Sequence, residues 1–598
     1  MFYRGNKILN QSKSFKNYRW VLQEPDTVNC LNLVQKFNIK ELTARLLINR
    51  GIDSPEKAEN FLSPKLKNML PDPGLLKDME KAVERIVTSI KTCEKVMLFT
   101  DYDVDGATSA ALLRLYLQRL NCSADVYVPC RFKEGYGPNV KAFRKIVEEG
   151  YTLIIILDCG TTSFGPIDFL LGTGTDAIVI DHHLSLSELP KALAVINPNR
   201  LDQDFPYKDI AAVAVVFLVL VEINKVLRNS NYPSSKINLL EYLDLVALGT
   251  VCDVMPLKGI NRAFVTQGLK IIEKQTNLGL RALGAVAELH QEVTAHDLGY
   301  LLGPRINAGS RMGESSLGVK LLSSHLKTEV HKIANVLDQH NKQRRYIEHK
   351  TTEEALQNVA NHDLLKKKVL IVVEKEWNIG VIGIIASRLK EKYQKPVIII
   401  SLVDKIGKCS ARSIKGINIG LCFALAVKKG LLIEGGGHAM AAGCNIFENK
   451  ISEFSDFVEN FVNDIYSVDV IYDNAKKLLV DACIKVAGVT KELMENIRLL
   501  EPVGQANHRA RFYIGKCTVV KAWMVAQKHI IFLIRDYDFI KNHCLLKCVL
   551  FNAIGTTYGD EILRNKASNI SVVGYLQKNK YHSNQLDFIV EDYCLYEH

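Results

Sequence analysis

The chain has 598 residues, 47% of them hydrophobic and 24% charged, a composition typical of soluble globular proteins that excludes a disordered polymer and a membrane-embedded bundle. Such a length exceeds what one hydrophobic core supports and predicts roughly three or four domains. The formal charge of +11 suits a polyanionic partner without requiring one, because a solvated surface of this size also carries such an excess.

Taken in chain order, the opening Met1-Phe-Tyr-Arg-Gly-Asn lacks the basic-then-apolar pattern of an export signal, so a cytoplasmic protein is expected. Between Lys95 and Pro198, β-rich runs at Val96–Thr100, Asp125–Val128, Leu153–Leu157, Ala177–Ile180 and Leu193–Ile196 alternate with helical stretches, which predicts a parallel α/β sheet. Ala107–Leu120, dense in Ala and Leu, reads as the crossover helix after the first strand. The longest apolar run, Ile210 to Val221, is too short to span a bilayer and reads as a buried helix or strand pair. Leu239–Thr250 is helix-like and ends at Val251-Cys-Asp-Val-Met-Pro256, leaving Asp253 near a loop.

Polar helical stretches such as Lys327–Gln357 then bridge to a second α/β pattern. It runs from a strand at Lys368–Val373 through a helix near Ile382–Tyr393 and a strand at Pro396–Ser401, and ends in a Gly435-Gly-Gly-His438 turn. From about Asp473 the texture changes to short strands at Phe512–Val520, Ile530–Arg535, Leu545–Phe551, Ile570–Leu576 and Leu586–Val590, as in a small β-barrel. The fourteen cysteines are scattered. The closest pair, Cys544 and Cys548, lacks a second pair at zinc-site spacing, so buried reduced thiols are expected. Cys159 and Cys252 read as small residues beside carboxylates, not as ligands.

In an open parallel sheet, ligands bind beyond the carboxyl ends of the strands. Asp101, Asp103 and Asp105, then Asp158, then Asp181 and His182 all follow predicted strands, and Asp253 adds a fourth segment. A single Asp after a strand is ordinarily a turn or cap residue, and adjacent histidines are usually structural. Carboxylates gathered at one edge would repel one another, however, and hard divalent cations, with an imidazole suited to manganese, would hold them together. Two cations about 3.5–4 Å apart acidify a bridging water and neutralise a leaving oxygen, which is the chemistry of phosphoester hydrolysis.

The segments Asp101-Tyr-Asp-Val-Asp-Gly, Ile156-Leu-Asp-Cys-Gly, Asp181-His-His and Gly249-Thr-Val-Cys-Asp-Val-Met-Pro-Leu, in this order, resemble the four motifs of the DHH phosphoesterase superfamily. Further likeness through Pro304-Arg-Ile-Asn-Ala-Gly-Ser-Arg-Met-Gly313, Gly380-Val-Ile-Gly-Ile-Ile-Ala-Ser-Arg-Leu389 and Gly435-Gly-Gly-His-Ala-Met-Ala-Ala-Gly443 is similar to the RecJ-type single-strand-specific DNA exonucleases, and it covers about Phe61 to the C-terminus. The resemblance implies an α/β multidomain protein: an N-terminal segment 1–70 with no function assigned, a parallel-sheet DHH domain 71–258, a helical connector 259–360, a smaller α/β DHHA1 domain 361–460 and a C-terminal OB-fold β-barrel 461–598.

By that resemblance, Asp103 and Asp158 hold one metal, and Asp105, Asp158, His182 and Asp253 the other, with Mn2+ or Mg2+ as the two ions. Asp101 and His183 join the catalytic set, orienting a ligand or stabilising phosphorane charge. Arg131, Arg305, Asn307 and Arg311 are implied contacts to the DNA backbone or its 5′ phosphate. Ser410, Arg412, Ser413, Gly436, Gly437 and His438 are implied to bind substrate, the glycines admitting a phosphate close to backbone amides. Phe512, Tyr513 and Trp523 are candidate stacking residues in a barrel of the kind that binds single strands.

Departures from the family pattern fall outside the metal motifs: Asn378 stands where histidine is common, Cys409 where glycine is usual, and Val503, Ala506 and His508 for Phe, Gly and Pro. The implied activity is stepwise 5′-to-3′ hydrolysis of single-stranded DNA to mononucleotides in recombination and repair. The implied partners are single-stranded DNA, a single-strand-binding protein and a helicase, with no membrane. Two alternatives are a DHH phosphodiesterase of short oligonucleotides or cyclic dinucleotides, and a non-catalytic DNA-binding scaffold.

Overall fold

The structure, a computed structural model, describes residues 7–10, 14–232, 236–289, 292–361, 364–465, 477–537, 544–564, 569–579 and 585–595. The chain divides into two compact units. The larger takes Leu70–Met255 and Phe264–Val470, and the smaller takes Met1–Met69, Pro256–Ala263 and Ile471–His598.

The larger unit opens with a five-stranded, all-parallel sheet: β1 (Val96–Thr100), β2 (Ala124–Tyr127), β3 (Leu153–Leu157), β4 (Asp176–Ile180) and β5 (Ala194–Ile196), in the order β2-β1-β3-β4-β5. A sheet covered on both faces needs strands without polar alternation. β1 and β3 accordingly read VMLFT and LIIIL and are buried at every position. One face packs Met97, Phe99, Ile154, Ile156, Val179 and Val195 against Phe143, Ile146, Ile167 and Leu170. Against the other lie α1 (Val104–Arg119) and α2 (Ala212–Asn229). The apolar run from Ile210 is thus a buried helix. Next, α3 (Leu243–Cys252) packs along α1 and is almost wholly buried.

Helices α4 (Gly303–Arg311) and α5 (Lys327–Asn361) lead to a second sheet of five strands. It holds β6 (Leu370–Lys375), β7 (Val397–Val403), β8 (Ile406–Arg412), β9 (Glu434–His438) and β10 (Ala441–Phe447), in the order β9-β10-β8-β7-β6, with α6 (Ile379–Tyr393) between β6 and β7. Only β6 and β7 are parallel; the rest is antiparallel. The expected Gly435-Gly-Gly-His438 turn is instead strand β9, with Gly435 opposite Cys444 and His438 opposite Ala441. Glycine is required there by close approach: a Cβ on Gly437 would lie 2.4 Å from the Ala441 carbonyl oxygen.

The expectation of reduced thiols also fails at one pair. Cys409 on β8 faces Cys444 on β10 directly, and the two form a disulfide. Both belong to the apolar cluster under this sheet, which is why they read as ordinary buried cysteines.

In the smaller unit, β11 (Phe512–Val525), β12 (His529–Asp536), β13 (Leu546–Leu550), β14 (Asn569–Lys578) and β15 (Leu586–Leu595) close into a barrel through β11–β14 pairing. The N-terminal helices are part of the same body: Cys30, Leu33, Leu46, Leu47 and Phe61 share one apolar cluster with Phe512, Ile514, Phe532 and Phe588. Trp20, fully buried, donates its indole N–H to Asp592 Oδ2 at 2.9 Å, and its strand Arg19–Leu22 pairs in parallel with Lys477–Val480.

Arg262 ties three stretches of this unit together. Its guanidinium lies 3.6 Å over the Phe61 ring and donates to the carbonyls of Phe61, Leu499, Leu500, Glu501 and Pro502. Among the described residues no helix is long and apolar enough to cross a membrane. Residues 1–6 and the texture change near Asp473 lie outside the described residues.

Candidate metal centre and phosphate cleft

Three acidic segments lie just beyond the carboxyl end of a strand, Asp101 after β1, Asp158 after β3 and Asp181 after β4, and a fourth lies at the end of α3. Asp103 caps α1, accepting the Gly106 N–H at 3.1 Å. A Cβ on Gly106 would lie 2.4 Å from the Asp101 carbonyl oxygen, so this tight turn admits only glycine. Asp105, 1% exposed, accepts the first amides of α2, from Ala212 at 2.6 Å and Val213 at 3.0 Å. Asp158 follows β3 in the left-handed region, φ 58°, a conformation Asp tolerates better than most residues. Asp253 is the C-cap of α3.

These segments converge. His182 Nε2 lies 3.3 Å from Asp158 Oδ1, 3.4 Å from Asp253 Oδ2 and 3.9 Å from Asp105 Oδ2. Three sets of ligand atoms each fall within 4.8 Å of one another: Asp101, Asp103 and Asp158; Asp105, His182 and Asp253; and Asp158, His182 and His183. Four buried atoms in this cluster, Asp101 Oδ1, Asp158 Oδ1, His182 Nε2 and Asp253 Oδ2, have no hydrogen-bond partner among the described residues. Buried polar atoms are almost always paired, so four unpaired donor atoms aimed at one another are the signature of cation ligands.

The electrostatics agree. Burial, then the charge of Asp103, pushes Asp105 up to about 7, and burial with Asp105 and Asp103 raises Asp253 to about 9. Asp101 and Asp158 are pushed well above the usual carboxylate range by burial and by their acidic neighbours. Burial, then the neighbouring His183, lowers His182 to about 4, which leaves its ring neutral with a lone pair to donate. Hard oxygen ligands with one imidazole match Mn2+ or Mg2+, and the residues present therefore fit two divalent ions.

His183 has a different partner. Its Nδ1 lies 2.7 Å from Asp181 Oδ1, and although burial opposes it, that carboxylate raises the imidazole to about 9. Asp181 also accepts the amides of Thr161, His182 and His183. It thus orients the histidine pair, a role that sequence reading did not assign although it opens the Asp-His-His triplet. Tyr136 was missed as well. Its Oη donates to the Asp158 carbonyl at 3.2 Å and lies 3.4 Å from His183 Nε2. The available signal was its position between Gly135 and Gly137, both with positive φ, which marks a turn presenting the side chain.

Beside the carboxylates, within the same unit, opens a cleft of about 760 Å³ lined by Tyr102, Arg131, Tyr136, Arg311, Ser410 and Arg412. Arg131 lies 4.9 Å over the Tyr102 ring. Arg311 donates to the Gly380 carbonyl at 2.6 Å, and Arg412 to Ser410 Oγ at 3.2 Å and its neighbour's carbonyl at 2.8 Å. None of the three has an ion-pair partner within salt-bridge distance among the described residues. Burial, then repulsion from Arg131, lowers Arg311 to about 9 and shifts Arg412 in the same direction. The cleft lining therefore carries an excess of positive charge, Arg131, Arg311, Lys408 and Arg412 against Glu434.

Other expected substrate residues have internal partners. Arg305 is paired with Asp338 at 2.9 Å and the Leu301 carbonyl. Ser413 is fully buried, its Oγ donating to Ile417 O at 2.7 Å. Asn307 is half-buried on α4 and does not line the cleft. Gly436, Gly437 and His438 lie exposed along β9, outside the cleft lining, which takes Gly435 instead. Asn378 caps α6, accepting the Gly380 N–H at 2.8 Å, a role that suits asparagine. Of the proposed stacking residues, Phe512 is in the barrel core and Tyr513 bonds Ser571 and packs on Trp20. Trp523 is half-buried, with Lys521 over its ring.

Comparison with known proteins places this geometry. The chain matches the DHH family N-terminal domain over residues 95–250, the DHHA1 domain over 346–464 and the RecJ OB domain over 480–592. It is 32% identical to the single-stranded-DNA-specific exonuclease RecJ of Bacillus subtilis over 95% of this chain and 69% of that one. It is 32% identical to the RecJ of Escherichia coli over 92% and 95%. The fold resembles RecJ of Thermus thermophilus solved with Mn2+, with TM-score 0.80 and 24% identity over 98% of this chain and 80% of that one. An exonuclease RecJ structure bound to manganese aligns at TM-score 0.58 and 29% identity, over 68% of this chain and 98% of that one.

Proposed function

The chain belongs to the RecJ family of single-stranded-DNA-specific exonucleases, and on that premise we propose that it removes mononucleotides stepwise from the 5′ end of single-stranded DNA in recombination and repair. The observation that carries the proposal is the pairing of two opposite charge excesses: buried carboxylate oxygens without a partner at the sheet edge, and arginines without an ion-pair partner among the described residues in the adjoining cleft. A phosphodiester with divalent ions complements both.

In the proposed assignment, Asp103 and Asp158 would hold one ion and Asp105, Asp158, His182 and Asp253 the other, with Asp101 orienting a ligand beside them. Such ions supply Lewis-acid chemistry, acidifying water and neutralising charge on phosphate oxygens. The protein's own groups do the rest. Asp105 is fixed by the α2 amides, so its carboxylate is oriented before substrate arrives. Asp181 and Tyr136 fix the His183 ring beside Asp158, where it donates to a phosphate oxygen. Arg131 and Arg412 hold the terminal phosphate bidentately, which sets the end that is cut.

The proposed domains are those read from the sequence: DHH at 71–258, connector at 259–360, DHHA1 at 361–460 and OB-fold at 461–598. A cytoplasmic location, with a single-strand-binding protein and a helicase as partners, belongs to the same proposal. The test incubates purified protein and Mn2+ with end-labelled single-stranded DNA, duplex DNA and a dinucleotide, alongside Asp103→Ala. Expected is release of mononucleotides from the 5′ end of the single strand only, lost in the variant. Cleavage of the dinucleotide alone sinks the exonuclease reading in favour of a small-substrate phosphodiesterase, and DNA retention without hydrolysis by either protein points to a scaffold.

A further inference from the structure

Helices α1 and α3 each hold metal-centre carboxylates at one end: Asp103 and Asp105 at the start of α1, and Asp253 at the close of α3. Their opposite ends meet at a second cavity of about 480 Å³, lined by Leu115, Arg119, Tyr242, Asp244, Leu322 and His325 among others. α1 has 16 residues, about 24 Å at 1.5 Å per residue, so this cavity is separate from the phosphate cleft.

Its floor is polar and unsatisfied. Tyr242 is 5% exposed and Asp244 3%. Among the described residues the Tyr242 hydroxyl has no hydrogen-bond partner, whereas the buried phenol of Tyr116 donates to Asn224 at 2.7 Å. Asp244 accepts the amide of its neighbour Leu245, at 2.8 Å, and its own amide, and among the described residues it has no cation within salt-bridge distance. Away from the metal centre, buried Asp338 of the same unit is by contrast answered by Arg305 and Lys342. A buried carboxylate held only by backbone amides and a buried phenol without a partner, both in the lining of one cavity, leave hydrogen-bonding capacity that a ligand can use. The leucine walls suit a flat apolar body. Arg119, paired with Glu241 at 3.0 Å, and the His325 imidazole also line the cavity.

We propose that this cavity binds a guanine nucleotide, with Asp244 taking the base's two adjacent N–H donors, Tyr242 bonding its edge, and Arg119 and His325 meeting the phosphate. Guanine is the base whose Watson–Crick edge sets a ring N–H beside an amino group, a matched pair for one carboxylate. Adenine and cytosine set a donor beside an acceptor there, and thymine flanks its one N–H with two carbonyls, so each turns a lone pair toward Asp244. A site whose buried polar group is left unpaired by the wrong ligand discriminates strongly. The choice of deoxyguanosine monophosphate as the simplest ligand rests on the exonuclease reading, which makes it a product of the enzyme.

The test is equilibrium dialysis of radiolabelled dGMP against the full-length protein in EDTA. Expected is one saturable site per chain, about tenfold weaker in Asp244→Asn, a loss equal to one charge-assisted hydrogen bond. Tyr242→Phe should weaken binding severalfold, Asp158→Asn should leave it unchanged, and dAMP and dTMP should bind about tenfold more weakly than dGMP. Near-UV circular dichroism confirms that each variant is folded, and Tyr242→Phe serves if Asp244→Asn is not. Absence of saturable binding at millimolar dGMP overturns the proposal, as does equal affinity in Asp244→Asn or loss in Asp158→Asn. Hydrolysis of single-stranded DNA is measured in parallel. A wild type that binds dGMP with this pattern but leaves DNA intact overturns the exonuclease reading while the site stands, and an active exonuclease that binds no dGMP does the reverse.

Discussion

Arg262 and the acidic edge of the parallel sheet are both buried charge, and they meet burial in opposite ways. The Arg262 guanidinium is surrounded by five backbone carbonyls and an aromatic ring. At the sheet edge, Asp101, Asp158, His182 and Asp253 each keep one buried atom without a partner. A satisfied buried charge holds a fold together, whereas an unsatisfied one waits for a counter-charge from outside. The same contrast separates Arg305, closed by Asp338, from Arg131, Arg311 and Arg412, which have no carboxylate within salt-bridge distance among the described residues.

The contrast breaks first at the metal centre. Asp158→Asn is expected to lower hydrolysis of single-stranded DNA by about 10²–10³-fold or more, without lowering the melting temperature in EDTA, because the lost oxygen supports nothing in the fold. Mn2+ should raise the melting temperature of the wild type and not that of the variant; a variant that melts well below wild type in EDTA would assign Asp158 to the scaffold instead. Arg262→Met makes the opposite case. It strands five carbonyls and should cost roughly 3–5 kcal/mol, read by urea unfolding of the full chain, while Mn2+ affinity of the folded protein is unchanged. A cost below about 1 kcal/mol would remove Arg262 as a clamp.

Asp244 tests the intermediate case, a buried carboxylate with neither cation nor metal nearby. Burial raises it to about 7, above its unfolded value of about 3.9. Between those values the folded chain keeps a proton that the unfolded chain has lost, so stability falls as pH rises through the window, by at most roughly 4 kcal/mol. Asp244→Asn should therefore melt close to wild type at pH 4 and increasingly above it toward pH 8. A pH-independent gap would show that burial does not govern this group. The smallest effect belongs to the cleft: Arg131→Ala should raise KM for a 5′-phosphorylated single strand about tenfold with kcat little changed, and the loss should shrink on a strand lacking that phosphate.

Periodicity and strand-end position revealed the elements that carry the metal centre. The expected strands at Val96–Thr100 and Leu153–Leu157 are found at those bounds, and the helix after the first begins at Val104. Antiparallel pairing was less visible. The strand Ile406–Arg412 alternates exposed and buried residues with small side chains, and glycine-rich Glu434–His438 looks like a turn until Cys444 and Ala441 are seen opposite it. The N-terminal helices carried no functional signal because their partners, Phe512, Ile514 and Phe588, lie more than 400 residues away in the chain.

The sequence by itself determined the donor set: oxygen and imidazole ligands in the order Asp101, Asp103, Asp105, Asp158, His182, Asp253, each where a strand or helix ends, because chemistry at the end of a regular element needs only local propensity to place it. Tertiary structure alone decided which charges are spent. Arg305 and Arg311 are six residues apart on one helix, and nothing local distinguishes them. The difference lies in what packs opposite: a carboxylate on α5 beside Arg305, and the Gly380 carbonyl and three further arginines, Arg131, Arg344 and Arg412, around Arg311. Whether a buried charge is answered depends on long-range neighbours.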